Sequence, residues 1–142
     1  MKIYCAGPIR GDLRYVEFYH QIVALIRQLE HVPLTELALL ETEAAAAGDR
    51  DIYLRDLKWL QQADALIAEV SGPSLGVGYE IAYALHALRI PVLCVQKRSE
   101  KKISAMIAGN RSERLTLKTY GSGEELDRIV KEFLEDLKAG QR

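Results

Sequence analysis

Only two cysteines occur in the 142 residues, Cys5 and Cys94. Each lies in an apolar run, without a CxxC spacing or a histidine partner, so neither a disulfide framework nor a zinc site is expected. Net charge is also scarce. Nineteen Lys and Arg face twenty Asp and Glu, for a formal charge of −1. That balance leaves no electrostatic footprint for nucleic acid or for an anionic membrane surface. No apolar run approaches the length of a membrane span, and Met1-Lys2-Ile3 enters structure directly, without a signal peptide. The expectation is a cytoplasmic protein with reduced, buried thiols. Of the three histidines, His20 and His31 read as helix-surface residues and are assigned no role. Repeats, low-complexity tracts and domain linkers are absent, so residues 1–142 are read as one domain, long enough to bury a proper core.

What is present is a repeating strand–helix pattern. Short apolar runs at Ile3–Ala6, His31–Thr35, Ala65–Val70, Ile90–Val95 and Leu115–Tyr120 read as strands, with Pro33 placing the second at an edge. Helical spacing of Tyr19, Ile22, Val23, Ile26 and Leu29 follows the first. A helix over Asp51–Gln62, with Asp49 or Asp51 as caps, precedes the third. Ile81–Leu88 follows it. Leu126, Ile129, Val130, Phe133, Leu134 and Leu137 form the stripe of a last helix. Ile103–Ile107 starts a short helix ended by Gly109-Asn110, and the alanine-rich stretch 36–48 is long enough for a lid. The expected fold class is therefore α/β, a doubly wound, five-stranded parallel sheet of flavodoxin-like order with helices on both faces.

In such sheets ligands bind at the carboxyl ends of the strands. Two unusual loops leave those ends, Gly7–Asp12 and Ser71–Gly78. The second matches G-x-S-x-G at Gly72–Gly76, but a serine-hydrolase triad needs a downstream acid and then a histidine, and only His86 follows, with no aspartate between. It lacks the Gly-Lys-Ser/Thr ending of a Walker A loop, and Gly76-Val77-Gly78 has Ile81 where a dinucleotide fingerprint needs its third glycine. The loop is then either an ordinary turn or an anion cradle at a helix start, with Ser74 as hydroxyl donor. Glu80 is expected in the first turn of the next helix, where the dipole favours a carboxylate and keeps it ionised.

Asp56 lies four residues after Ile52 and four before Leu60, so it points along the apolar side of its helix, paired there or open to a cleft. Tyr4, near the carboxyl end of the first strand, either reaches the same cleft or is a core tyrosine with a satisfied hydroxyl. Arg10 is a phosphate or base clamp, or a solvated surface arginine.

These segments together resemble the nucleoside 2-deoxyribosyltransferase family, and within it the 2'-deoxynucleoside 5'-phosphate N-hydrolases. The likeness is carried by Tyr4–Gly11, by Gly48-Asp49-Arg50 through Asp56-Leu57-Lys58-Trp59-Leu60 to Asp64, by Pro73–Glu80, and by Ser104-Ala105-Met106-Ile107. The resemblance implies that Glu80 attacks the anomeric carbon to give a glycosyl-enzyme. Asp56 would serve the leaving base and the water, and Tyr4 would hold Glu80 in line. It also implies that Gly7, Ile9, Arg10 and Gly11 line the nucleotide pocket, and that Ser74 and Gly76 hold the 5'-phosphate. Ser104 and Met106 would reach in from the partner of a homodimer. No metal or organic cofactor is implied.

The transferases that use unphosphorylated nucleosides resemble this loop but carry an acid six residues before the glutamate. Here Ser74 stands in that place. A carboxylate there repels a phosphate, whereas a hydroxyl beside backbone N–H groups accepts one. The implied substrate is therefore a nucleoside 5'-monophosphate. Leu37 follows Thr35-Glu36 where eukaryotic hydrolases carry a histidine, which leaves the base open, and ribonucleotides such as cytidine monophosphate with it. Base exchange between nucleosides, and nucleotide binding without catalysis, are the competing expectations.

Overall fold

The computed structural model describes residues 1–9, 13–36, 48–98 and 102–140. Arg10 and Gly11, Leu37 and most of the alanine-rich stretch expected to form a lid lie outside the described residues. Five parallel strands, β1 (Lys2–Ala6), β2 (Val32–Leu34), β3 (Ala65–Glu69), β4 (Val92–Lys97) and β5 (Leu115–Tyr120), pair in the order β2-β1-β3-β4-β5. This is the expected doubly wound sheet. β2, with Pro33, is an edge strand, where a missing N–H costs the ladder nothing. β4 starts at Val92, two residues later than expected. It is central, and Pro91 cannot donate inside a central ladder.

Buried on both faces, the central strands divide their side chains by alternation. Ile3, Cys5, Ile67, Leu93 and Val95 pack against α1 (Val16–Gln28) and α5 (Gly123–Gly140). Tyr4, Ala6, Leu66, Ala68 and Cys94 face the other way, toward α2 (Asp49–Gln62) and α3 (Leu75–Ala82). Cys5 and Cys94 are free and buried, and burial pushes both thiols up to about 12. His31, which reads as a surface residue, is instead buried, with its Nδ1 3.2 Å from the Met1 amino group. Among the described residues no helix is long and apolar enough to cross a membrane.

Two helix starts differ from the sequence reading. α2 begins at Asp49 with Gly48 as its cap residue and no side-chain cap bond, so Asp49 and Asp51 occupy the first turn and do not cap it. They act on the helix dipole instead. α3 begins six residues earlier than its apolar run, inside the glycine-rich loop. Ser74 is its N-cap in extended conformation, and the Val77 N–H donates to Ser74 Oγ at 3.3 Å. A satisfied cap offsets the roughly 1 kcal/mol that each helical glycine costs. Glu80 therefore stands in the second turn, and no acidic residue occupies the first. The helix runs on as a π-helical segment, Tyr83–Leu88, and ends at Arg89 in the left-handed region (φ 58°).

Close approach, not backbone conformation, demands glycine at position 7. A Cβ there would lie 2.4 Å from Cδ2 of Tyr19. The Tyr19 ring is held in place because its hydroxyl donates to the Cys5 carbonyl at 2.9 Å and pairs with Thr35 Oγ1 at 2.6 Å. Gly7→Ala is expected to cost about 1–3 kcal/mol by overpacking. Thermal unfolding would register this as a melting point lower by roughly 3–12 °C. An unchanged melting point would mean that the Tyr19 ring can yield.

Candidate active site

The strand order reverses between β1 and β3, which opens a crevice at the carboxyl ends of those strands. Tyr4 enters it from β1, and Glu80 from α3. The Tyr4 hydroxyl donates to Glu80 Oε1 at 2.7 Å. Residues 76 apart in sequence thus meet through a bond at the switch point, and Tyr4 is not merely a core tyrosine.

The pair lines a cavity of about 270 Å³, which Asp56 and Glu36 also line. The Glu80 carboxyl is raised to about 7, chiefly by burial; the Tyr4 bond works against the rise, and the charges of Asp56 and Glu36 add to it. The expectation that the helix dipole holds Glu80 well ionised is thereby corrected. The residue lies beyond the first turn, and desolvation dominates. Burial, and then the negative charge of Glu80, raise the Tyr4 phenol above its ordinary range. It remains a neutral donor at every working pH.

Asp56 resolves the alternatives left by its position, since it is both paired and open to the cavity. Arg55 Nε and Nη2 donate to Asp56 Oδ1 at 2.9 and 2.7 Å. The same guanidinium forms an ion pair with Glu36 and lies 4.9 Å over the Trp59 ring. Arg55 was not singled out by sequence. It precedes Asp56 directly, and helical neighbours ordinarily diverge.

Gly7, Ile9, Ser74 and Gly76 line the same cavity. Ser104 and Met106 do not. They line a second, larger cavity of about 600 Å³, formed by α4 (Ala105–Ala108), by other residues of α3 such as Gly78 and Ile81, and by Ser71–Pro73. Ser74 borders both cavities. Ser104 caps α4, accepting the Met106 N–H at 3.3 Å, and the Met106 side chain is 84% exposed.

A second feature missed in the sequence supports the loop. Glu69, the last residue of β3, is fully buried and accepts the Tyr120 hydroxyl at 3.0 Å and the Ser71 N–H at 3.2 Å. It also bonds the Ser71 hydroxyl, which in turn accepts the Lys97 N–H at 2.6 Å. Its place inside an apolar run gave no cue beyond the rarity of a buried carboxylate.

A carboxylate poised near neutrality, aligned by a permanent donor and flanked by a second carboxyl, is equipped to attack an electrophilic carbon while its neighbour moves a proton. If Glu80 must be ionised to act, the rate rises with pH through about 7. Tyr4→Phe removes a bond that lowers the Glu80 value, so the rising limb should move to higher pH. Activity at pH 6 should fall more than at pH 8.5. Equal losses at both pH values would contradict this role for Tyr4.

The model of the nucleoside 2-deoxyribosyltransferase family matches residues 3–126. The chain belongs to that family. The 5-hydroxymethyl-dUMP N-hydrolase of Rattus norvegicus is 42% identical over 143 residues, covering 94% of this chain and 86% of the rat protein. A protein of Syntrophotalea carbinolica with the provisional name 2'-deoxynucleoside 5'-phosphate N-hydrolase 1 is 40% identical over 142 residues, with 96% of each chain covered. Among solved structures, the CMP N-glycosidase of Clostridium botulinum superposes with a TM-score of 0.70 over 94% of this chain and 99% of its own, at 11% identity. The last likeness is one of fold.

Proposed function

We propose that this member of the family is an N-glycosidase that hydrolyses nucleoside 5'-monophosphates to free base and sugar 5-phosphate. The observation that carries the proposal is the Tyr4–Glu80 bond of 2.7 Å beside Asp56 in one cavity. The names of the rat and Syntrophotalea relatives support it. Glu80 attacks C1' as the bond from C1' to the base nitrogen breaks, and that nitrogen takes a proton through the Asp56 carboxyl, drawn from solvent because Asp56 rests as the carboxylate paired with Arg55. Asp56 then takes a proton from water, whose oxygen attacks C1' and releases Glu80. Two carboxyls working through an oxocarbenium-like state follow the logic of retaining glycosidases.

The phosphate would sit at the start of α3. The first intrahelical bond runs from the Gly78 N–H to the Ser74 carbonyl. The N–H groups of Leu75 and Gly76 precede it, beside the Ser74 hydroxyl, and suit an anion. Gly7 and Ile9 would contact the nucleotide, and the family resemblance assigns Arg10 and Gly11 to the same pocket. In a homodimer, Ser104 and Met106 of one copy would complete the phosphate end of the other. The exposure of Leu75 (97%) and Met106 (84%) suits that burial. The buried free thiols suit a cytoplasmic setting.

The test is incubation with nucleosides and their 5'-monophosphates, ribo and deoxy, followed by chromatography of free base. Base released from monophosphates in preference to nucleosides is expected. Release only from nucleosides would refute the phosphate assignment, and a new nucleoside formed from an added base faster than hydrolysis would favour exchange.

A further inference from the structure

Adjacent residues on a helix point about 100° apart, so an arginine does not meet the aspartate that follows it without outside support. Arg55 and Asp56 do meet, through two bonds to the single oxygen Oδ1. Two neighbours hold the guanidinium in that bent course. Trp59, one turn further along α2, supplies a ring face at 4.9 Å, and Glu36, just beyond β2, supplies a carboxylate. The side chains of all three ionic partners are largely shielded, at 16–20% exposure. This is a planar fork whose Nε–Nη2 edge holds both carboxylates while one face lies on the indole ring, an arrangement that a flexible ammonium cannot reproduce.

The clamp has a clear electrostatic purpose. Glu36, Asp56 and Glu80 line one cavity of about 270 Å³. Like charges on these carboxyls repel one another and work against a fixed placement of Asp56. Arg55 opposes that by tying Asp56 to Glu36. Both guanidinium bonds fall on Oδ1, so they fix the carboxyl plane without drawing on Oδ2.

We propose that Arg55 is a positioning residue, which with Glu36 and Trp59 fixes the Asp56 carboxyl for its proton transfers. The inference rests on the glycosidase reading. Glu36 thereby gains a role at the site that does not require it to touch the substrate.

The experiment compares wild type, Arg55→Gln, Asp56→Asn and the double variant on a deoxynucleoside 5'-monophosphate. Arg55→Gln should lower kcat by roughly 10–100-fold with little change in KM, the scale on which a misplaced catalytic group is felt. Arg55→Lys, which keeps the charge but not the fork, should recover part of the loss. It carries the same test if the glutamine variant does not fold. In the Asp56→Asn background, Arg55→Gln should have no further effect, because there is no longer an acid to position.

A kcat near the wild-type value in Arg55→Gln would overturn the inference. So would an equal loss in both backgrounds, which would mark Arg55 as a support of α2 alone. If wild type releases base and Glu80→Ala does not, while Arg55→Gln is unaltered, the inference about Arg55 fails and the glycosidase reading stands. If wild type releases no base, the reading itself fails.

Discussion

Glu80→Ala is expected to abolish base release, with a loss on the order of 10⁴-fold or more, as when a covalent nucleophile is removed. The fold should survive. The Glu80 side chain does not cap the helix; it accepts the Tyr4 hydroxyl. Linkage predicts more than survival. The Glu80 carboxyl titrates near 4.5 in a free chain and at about 7 in the fold. Between those values the folded state holds more protons, so stability falls as pH rises through the window. Glu80→Gln should therefore melt no lower than wild type at pH 8, and its relative stability should grow from pH 5 to pH 8. A variant that turns over at near-wild-type rate would remove Glu80 from the mechanism. One that melts far below wild type at pH 8 would make the residue structural.

Ser74→Asp is the second large effect. Serine and aspartate are equally good N-caps, so α3 should keep its start and the variant should fold. What changes is the charge where a 5'-phosphate would lie. Setting a carboxylate against a phosphate costs several kcal/mol; about 3 kcal/mol corresponds to roughly 10²-fold in KM or more. Turnover of monophosphates should fall accordingly, while that of unphosphorylated nucleosides holds or improves. Steady-state kinetics on a matched nucleoside and monophosphate give the answer. An unchanged monophosphate KM would move the phosphate away from Ser74.

The strand order and the two faces of the sheet were legible because buried parallel strands are short continuous apolar runs, and α5 keeps a complete stripe from Leu126 to Leu137. The start of α3 was not. Gly76 and Gly78 weaken helix propensity, and the Ser74 cap that outweighs them shows only in its bond to the Val77 N–H. Misplacing that start also misplaced Glu80 relative to the helix dipole, and with it the direction of its titration. Tyr4, Asp56 and Glu80 were legible as candidates from their positions at strand ends and on an apolar helix side. Their supports were hidden. Arg55 acts through a contact between helical neighbours that spacing rules disfavour, and Glu69 sits inside an apolar strand, where its bonds to Ser71 and Tyr120 depend on the sheet being assembled. The fate of Ser104 could not be read from one chain, because its proposed partner is a second copy.

The central claim is that Glu80 forms a covalent bond to the sugar. Acid quenching during turnover of a deoxynucleoside 5'-monophosphate, followed by mass spectrometry of the intact chain and its peptides, tests it most directly. The account predicts a deoxyribosyl 5-phosphate adduct on the peptide that holds Glu80, absent from Glu80→Ala and lost as water completes the cycle. Base release with no adduct at Glu80, or with the adduct on another residue, would contradict it.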